Sequence, residues 1–219
     1  MSFDIAGWYQ KMKKHEVRYD LPGWEIFFAD LERMPEGPGQ QAELDELRSG
    51  VASEVRDRLD LDRLSVHPPV AALRRLFKEA GCDPSRYRPA SEALLRRVLK
   101  GEEIPAIHPM VDVNNCLSAL LAVPCCVMAE GTFEPPFVFR SGREGEAYES
   151  LKGPFRLEGK PLLLDARGPC DAPITGSERV KVREETRRAT LVVYLPRGVV
   201  GAAEVEATLA RLLSKAPVG

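Results

Sequence analysis

Apolar residues recur along this chain in two rhythms, and the change from one to the other divides the sequence. Leu44, Leu47, Val51, Val55 and Leu59 follow at intervals of three and four with charges between them, which is the stripe of an amphipathic helix. A second stripe, Val70, Leu73, Phe77 and Ala80, begins after Pro68-Pro69 and stops at Gly81. Proline suits the first helical positions and glycine the position past the end. Beyond the Asp83-Pro84 turn a third helix is predicted, with Ser91 as its cap, Leu94, Leu95, Val98 and Leu99 facing inward, and Gly101 ending it. Arg96, Arg97 and Lys100 stay outside. A fourth helix is expected from Asp112, whose carboxylate can cap free N–H groups, with Val113, Leu117, Leu120 and Leu121 inward and Pro124 as the stop. A last amphipathic helix carries Val205, Leu209, Leu212 and Leu213.

The second rhythm is that of strands. Val17 to Leu31 is rich in aromatic and β-branched residues, with a turn at Pro22-Gly23, and Met34 to Gly39 reads as a loop. After Pro124, strands are predicted at Phe133–Phe139, Leu162–Asp165, Arg179–Val182 and Thr190–Leu195, with glycine and proline punctuating the gaps. Helices lead and strands follow, so the fold class is α+β, with N-terminal helices packed on a mixed or antiparallel β-sheet. Residues 1–65 read as an extension of strands and one helix packing on residues 66–219, the whole forming one compact unit. There is no internal repeat and no low-complexity tract.

Composition narrows the function classes. Of 219 residues, 44% are hydrophobic, enough for a sizeable core, and 29% are charged. No apolar run approaches the ~20 residues of a membrane span, and the N-terminus lacks a secretory pattern, so a cytoplasmic location and no membrane partner are expected. A formal net charge of -2 argues against a generic nucleic-acid coat and leaves room for a local basic face. The five cysteines form no C-x-x-C pair and the three histidines are scattered, so no metal and no cofactor are expected.

General catalytic signatures are missing: no G-x-S-x-G elbow, P-loop, dinucleotide fingerprint or H-E-x-x-H occurs. Adjacent Glu102-Glu103 and Glu184-Glu185 read as solvated surface. Adjacent Cys125-Cys126 offers a thiol nucleophile without a nearby histidine to activate it. Ser85-Arg86-Tyr87-Arg88-Pro89 admits two readings. Its arginines can hold phosphates while the ring stacks on a base, or Tyr87 packs inward while the arginines pair with acids such as Glu92. Asp112-Val113-Asn114-Asn115 likewise serves either a polar ligand or local capping.

Two longer runs resemble one family. They are Phe77 to Arg97, containing Gly81-Cys82-Asp83-Pro84-Ser85-Arg86-Tyr87-Arg88-Pro89, and Ile104 to Asn115, containing His108-Pro109-Met110-Val111-Asp112-Val113-Asn114-Asn115. Gly145-Glu146-Ala147-Tyr148 with Leu151 and Gly153, then Asp165 and Gly168, Ser177-Glu178-Arg179 and Glu184-Glu185-Thr186, follow in the same order as in that family. The chain resembles free-standing B3/B4 domain proteins, relatives of the editing module in the phenylalanyl-tRNA synthetase beta subunit, over roughly residues 66 to 196. In the synthetase that module hydrolyses tyrosine wrongly attached to the phenylalanine tRNA. The resemblance therefore implies a B3/B4-like fold and trans-editing: hydrolysis of the ester at the aminoacylated 3′ end of a mischarged tRNA. The alternative is a non-catalytic tRNA- or amino-acid-binding module of the same fold. Asn114, Asn115, Cys126, Ser177 and Thr186 are the implied substrate-binding residues, and Arg86, Arg88, Arg96, Arg97 and Lys100 the implied RNA-binding ones. The family's Thr-Asn pair falls on Asn114 and Asn115. Its histidine falls on Cys126 and its tyrosine-reading glutamate near Val192, which removes the acceptor that a hydroxyl-reading site needs.

Overall fold

A computed structural model describes residues 2–5, 8–13, 15–33 and 40–214. The chain opens with four strands, β1 (Ser2–Ile5), β2 (Trp8–Lys13), β3 (Val17–Tyr19) and β4 (Trp24–Arg33). Four helices follow: α1 (Gln40–Arg58), α2 (Pro68–Glu79), α3 (Ala90–Val98) and α4 (Pro109–Leu121). Then come β5 (Cys125–Ala129), β6 (Phe137–Ser141), β7 (Ala147–Ser150), β8 (Gly153–Arg156), β9 (Pro161–Asp165), β10 (Gly168–Ala172), β11 (Thr175–Gly176) and β12 (Arg188–Pro196), and α5 (Ala202–Leu213) closes the chain. The class is α+β. The loop expected over residues 34–39 lies outside the described residues.

Two five-stranded sheets carry the architecture, in the orders β1-β2-β4-β12-β5 and β11-β10-β9-β6-β3, with β7-β8 as a separate hairpin. The first sheet is antiparallel throughout, and in the second only β3 runs parallel to its neighbour β6. β12 lies inside the first sheet, between β4 and β5. From Ala189 to Pro196 every residue is buried, because the strand is covered on both faces and so reads as a continuous apolar run rather than an alternating one. β4 pairs along its whole length, from Glu32↔Arg188 to Trp24↔Pro196. Trp24, fully buried, meets Phe77 of α2 and Phe139 of β6 with ring centroids 6.0 and 5.1 Å away, joining helix layer to both sheets.

Several boundaries differ from those predicted, each for a local reason. Ser91 does not cap α3. It is fully buried and its hydroxyl donates to the Ala122 carbonyl at 3.2 Å, while Pro89 holds the cap position. α4 starts three residues before Asp112, where the His108 ring accepts the Met110 N–H, and Asp112 reaches back to the N–H groups of Ile107 and His108. Arg179–Val182 is a turn and irregular segment rather than a strand: the Arg179 side chain is committed to Asp165 and to the carbonyls of Thr132, Gly168 and Pro169. β6 begins at Phe137, since Pro135 and Pro136 have no N–H to give a ladder. β5, β7, β8, β10 and β11 were not predicted. They are short, and their apolar residues are interrupted by cysteine, glycine and proline or, in β7, by Glu149 and Ser150.

Candidate functional site

α4 forms one wall of the site, and a buried ion pair sets its position. Arg48 Nη1 of α1 lies 2.5 Å from Asp112 Oδ2, both side chains more than nine-tenths buried. The other oxygen of Asp112 accepts from the Ile107 N–H at 2.9 Å. This carboxylate thus fixes the entry to α4 and its angle to α1 at once, one turn ahead of Asn114 and Asn115. At the other end Ala122 adopts a left-handed conformation (φ 56°), and Ser118 donates to the Val123 carbonyl at 2.7 Å. The chain reverses there and Pro124 leads into β5, which places Cys125 and Cys126 beside the helix they follow.

The facing wall is the tip of the second sheet. β10 and β11 form a tight hairpin in which Asp171 pairs with Gly176 and Ala172 with Thr175. The Tyr148 hydroxyl of β7 donates to the Thr175 carbonyl at 2.6 Å, and the Leu151 N–H donates to the Gly176 carbonyl at 3.1 Å. These bonds fold the β7–β8 turn over the hairpin, so Leu151 and Lys152 overhang the space between the walls.

That space is an open cleft of about 600 Å³. Asn114, Asn115, Cys126 and Ser177, chosen from sequence alone, all line it. Asn114 is buried and its Nδ2 donates to Asn115 Oδ1 at 3.3 Å. Apolar lips flank the opening: Ile107 and Leu151 are large residues left 66% and 53% exposed, and both belong to the lining. An α4 side and a hairpin side each supply one, so the mouth suits a flat or apolar group passing between them.

Asp171 belongs to the same lining and was missed from sequence. It is fully buried, and the Tyr194 hydroxyl donates to its Oδ2 at 2.5 Å. Burial pushes its carboxyl up to about 7, opposed by the Tyr194 hydrogen bond, the nearby Cys126 thiol and the Ala172 N–H. An acid titrating near neutrality in a cleft wall can exchange protons with a ligand. No motif marks this residue. Its only sequence signal is a lone aspartate between buried strand residues, Cys170 and Ala172. The cysteines are poor nucleophiles as they stand. Burial raises the Cys126 and Cys170 thiols well above their ordinary value, and Cys82 and Cys116 to about 11 and about 12.

The remaining sequence-chosen residues sit outside the cleft. Thr186 is on the turn after Arg183, where its hydroxyl accepts the Arg183 N–H at 2.8 Å; it does not line the cleft. The basic segment abuts the cleft through Ala90, a lining residue whose N–H donates to the Pro173 carbonyl. Glu92, fully buried, gathers Arg74 and Arg96 at 3.0 Å, with Arg88 at 4.0 Å. Arg97 pairs with Glu102 at 2.8 Å, and Lys100 is exposed. Tyr87 packs against Phe155 and carries Lys160 Nζ over its ring at 4.2 Å. The ring is half-buried in this packing. Val192 is buried and pairs across the ladder with Cys126. Among the described residues no group of three or more histidine, cysteine, aspartate or glutamate side chains is placed to hold a metal ion.

Fold and site together define the class: an α+β domain with an open cleft between a helix and a hairpin tip. The family model described as B3/4 domain matches residues 72–206, well over half of the chain, and the chain belongs to that family. Among solved structures it is similar to an N-terminal fragment of the phenylalanyl-tRNA synthetase beta-subunit from Pyrococcus horikoshii, at 13% identity and a TM-score of 0.43, covering 94% of this chain and 52% of that one. The chain thus spans about half the length of that fragment. No curated protein matches it. No described helix is long and apolar enough to cross a membrane.

Proposed function

We propose that this B3/4 domain hydrolyses the ester of a mischarged aminoacyl-tRNA, with the aminoacyl end held in the cleft lined by Asn114, Asn115, Cys126 and Ser177. The observation that carries the reading is the convergence on one cleft of Asn114, Asn115 and Cys126, from one stretch of chain, with the distant Ser177, all four selected by family resemblance. An aminoacyl ester needs donors for the developing oxyanion and an oriented water more than it needs a side-chain nucleophile. Asn114 and Asn115 would orient the ester. The vicinal ribose hydroxyl of the substrate can assist, which suits a cleft without histidine. Arg86 and Arg88 ahead of α3, Arg96 and Arg97 on it and Lys100 just past it would meet phosphates of the acceptor stem.

A second reading, binding without hydrolysis, draws on a specific observation. The positions of the family's histidine and glutamate hold Cys126 and Val192, a high-pKa thiol and a buried aliphatic residue. One experiment separates the two: incubation of the protein with a panel of mischarged tRNAs, following ester loss and, in the same samples, mobility on a native gel. The editing reading expects at least one ester to be lost faster than in buffer. A shifted band with no ester loss supports the binding reading, and neither effect sinks both.

A further inference from the structure

Two buried side-chain oxygens in this cleft make no hydrogen bond, Asn114 Oδ1 and Asp171 Oδ1, although the Cys126 thiol and the Ala172 N–H lie near the Asp171 carboxyl. The residues are 5% and 0% exposed. The Asn114 amide spends its Nδ2 on Asn115 Oδ1, and Oδ1 is the atom left over. Asp171 spends Oδ2 on Tyr194, deep in the core, while Oδ1 lies beneath the lining residue Gly176, where an added Cβ would come within 3.8 Å of it. Buried acceptors are nearly always satisfied in folded proteins, and a pair left bare on one cleft wall points to a ligand that brings the donors.

The charge environment says which donor. The groups facing the Asp171 carboxyl are Tyr194 of β12, Tyr148 of β7, Cys126 of β5 and its own neighbour Cys170. Burial raises the pKa of each, so all four are neutral at physiological pH, and no lysine or arginine is among the groups acting on this carboxyl. A buried carboxylate without a cation is an incomplete ion pair. Polarity reverses toward solvent, where the lining includes the exposed Lys152 and the half-exposed Lys181, the latter 2.5 Å from Glu178.

We propose that the cleft receives its ligand amine first: a primary ammonium on Asp171 Oδ1, a second donor of the same ligand on Asn114 Oδ1, and an anionic end near Lys152 and Lys181. Resting on the aminoacyl-ester reading, the ammonium is the α-amino group of the aminoacyl moiety, and the phosphates lie at the mouth. Asp171 is then a substrate-binding residue that tests for a free amine, and an N-blocked aminoacyl end is excluded.

The test uses stable probes, a set of 3′-aminoacylamino-3′-deoxyadenosines, each paired with its N-acetyl twin, with binding measured calorimetrically on the whole protein at about pH 7.5. At least one free-amine member binds about tenfold or more tightly than its twin, as expected for loss of a buried charge-assisted contact. Asp171→Asn, nearly isosteric and still able to accept from Tyr194, abolishes that preference. Gly176→Ala, whose new Cβ meets the Leu151 side-chain end at 3.3 Å and takes up space at contact distance, 3.8 Å, from Oδ1, weakens the free-amine probe selectively. Equal binding of the twins, an undiminished preference in Asp171→Asn, or no binding by any member overturns the proposal. Ester loss from mischarged tRNA, read separately, distinguishes the two claims. Hydrolysis indifferent to N-acetylation leaves the editing reading standing and removes this one, while amine-dependent binding without hydrolysis does the reverse.

Discussion

At the scale of single residues, Asp171 makes the sharpest forecast. Its carboxyl is raised to about 7 in the fold, against about 4 in an unfolded chain. The folded state therefore holds the proton more tightly. The corresponding stability is fully present below the unfolded pKa and is lost as pH rises toward 7, with no further change above it. Asp171→Asn removes the titration, so denaturant midpoints of variant and wild type diverge in the variant's favour between about pH 4 and pH 7 and run parallel beyond. The gap at about pH 8 is on the order of 2–4 kcal/mol; a constant gap across that range contradicts the assignment. The cysteines give a second check. With Cys82, Cys116, Cys126 and Cys170 all raised by burial, iodoacetamide at about pH 7.5 labels them at less than ~10% of the rate seen in denaturant, by mass spectrometry. Fast labelling of Cys126 in the folded protein would show an activated thiol in the cleft and bring nucleophilic catalysis back into play.

At the scale of elements, the placement of α4 decides whether the cleft exists. Arg48 and Asp112 hold it through a pair with almost no exposed surface. Removing one partner leaves the other buried and uncompensated, so Arg48→Met costs about 3–5 kcal/mol in thermal or chemical melts. Replacing both, as Arg48→Met with Asp112→Asn, recovers part of that loss. A single substitution costing less than ~1 kcal/mol would show that α1 and α4 are held by apolar packing alone. This level also shows what the sequence makes legible. Long amphipathic helices carry their own periodicity, and α1, α2 and α5 were visible for that reason. The family-like signature was visible too, but much of it turns out to be scaffold. Asp165 and Arg179 pair with each other at 3.0 Å, and Glu146 pairs with Arg140 at 2.6 Å. Asn114 and Asn115 were legible because two adjacent amides early in a helix are unusual. Asp171 was not, because its meaning comes from Tyr194, Cys126 and Gly176, which only the folded sheets bring to it. The short strands β10 and β11, which present it, have too little pattern to be read in one dimension.

At the scale of the whole molecule, a net charge of -2 has to be reconciled with the proposed RNA ligand. Arg88, Arg96, Arg97 and Lys100, in and beside α3, provide a local basic flank, although Arg88 and Arg96 share Glu92 with Arg74 of α2 and Arg97 pairs with Glu102. Few phosphates can then be met at once. The affinity for tRNA should fall only gently with salt, a log–log slope of about -1 to -3 rather than the steeper values of extended binders. Lys100→Glu with Arg97→Glu should weaken binding at low salt and flatten that slope by about 1–2, without affecting the melting temperature. A slope steeper than about -5 would place the RNA on a larger surface than this one.

In the proposed function the Asn114–Asn115 cleft holds the ester while it is cleaved. Its most direct test is the single-turnover rate of ester loss from the mischarged tRNA that the protein hydrolyses fastest, compared between wild type and Asn115→Ala of matched melting temperature. A fall of about tenfold or more is expected on losing this contact. An unchanged rate in the variant, or no ester loss above buffer with any mischarged tRNA, contradicts it.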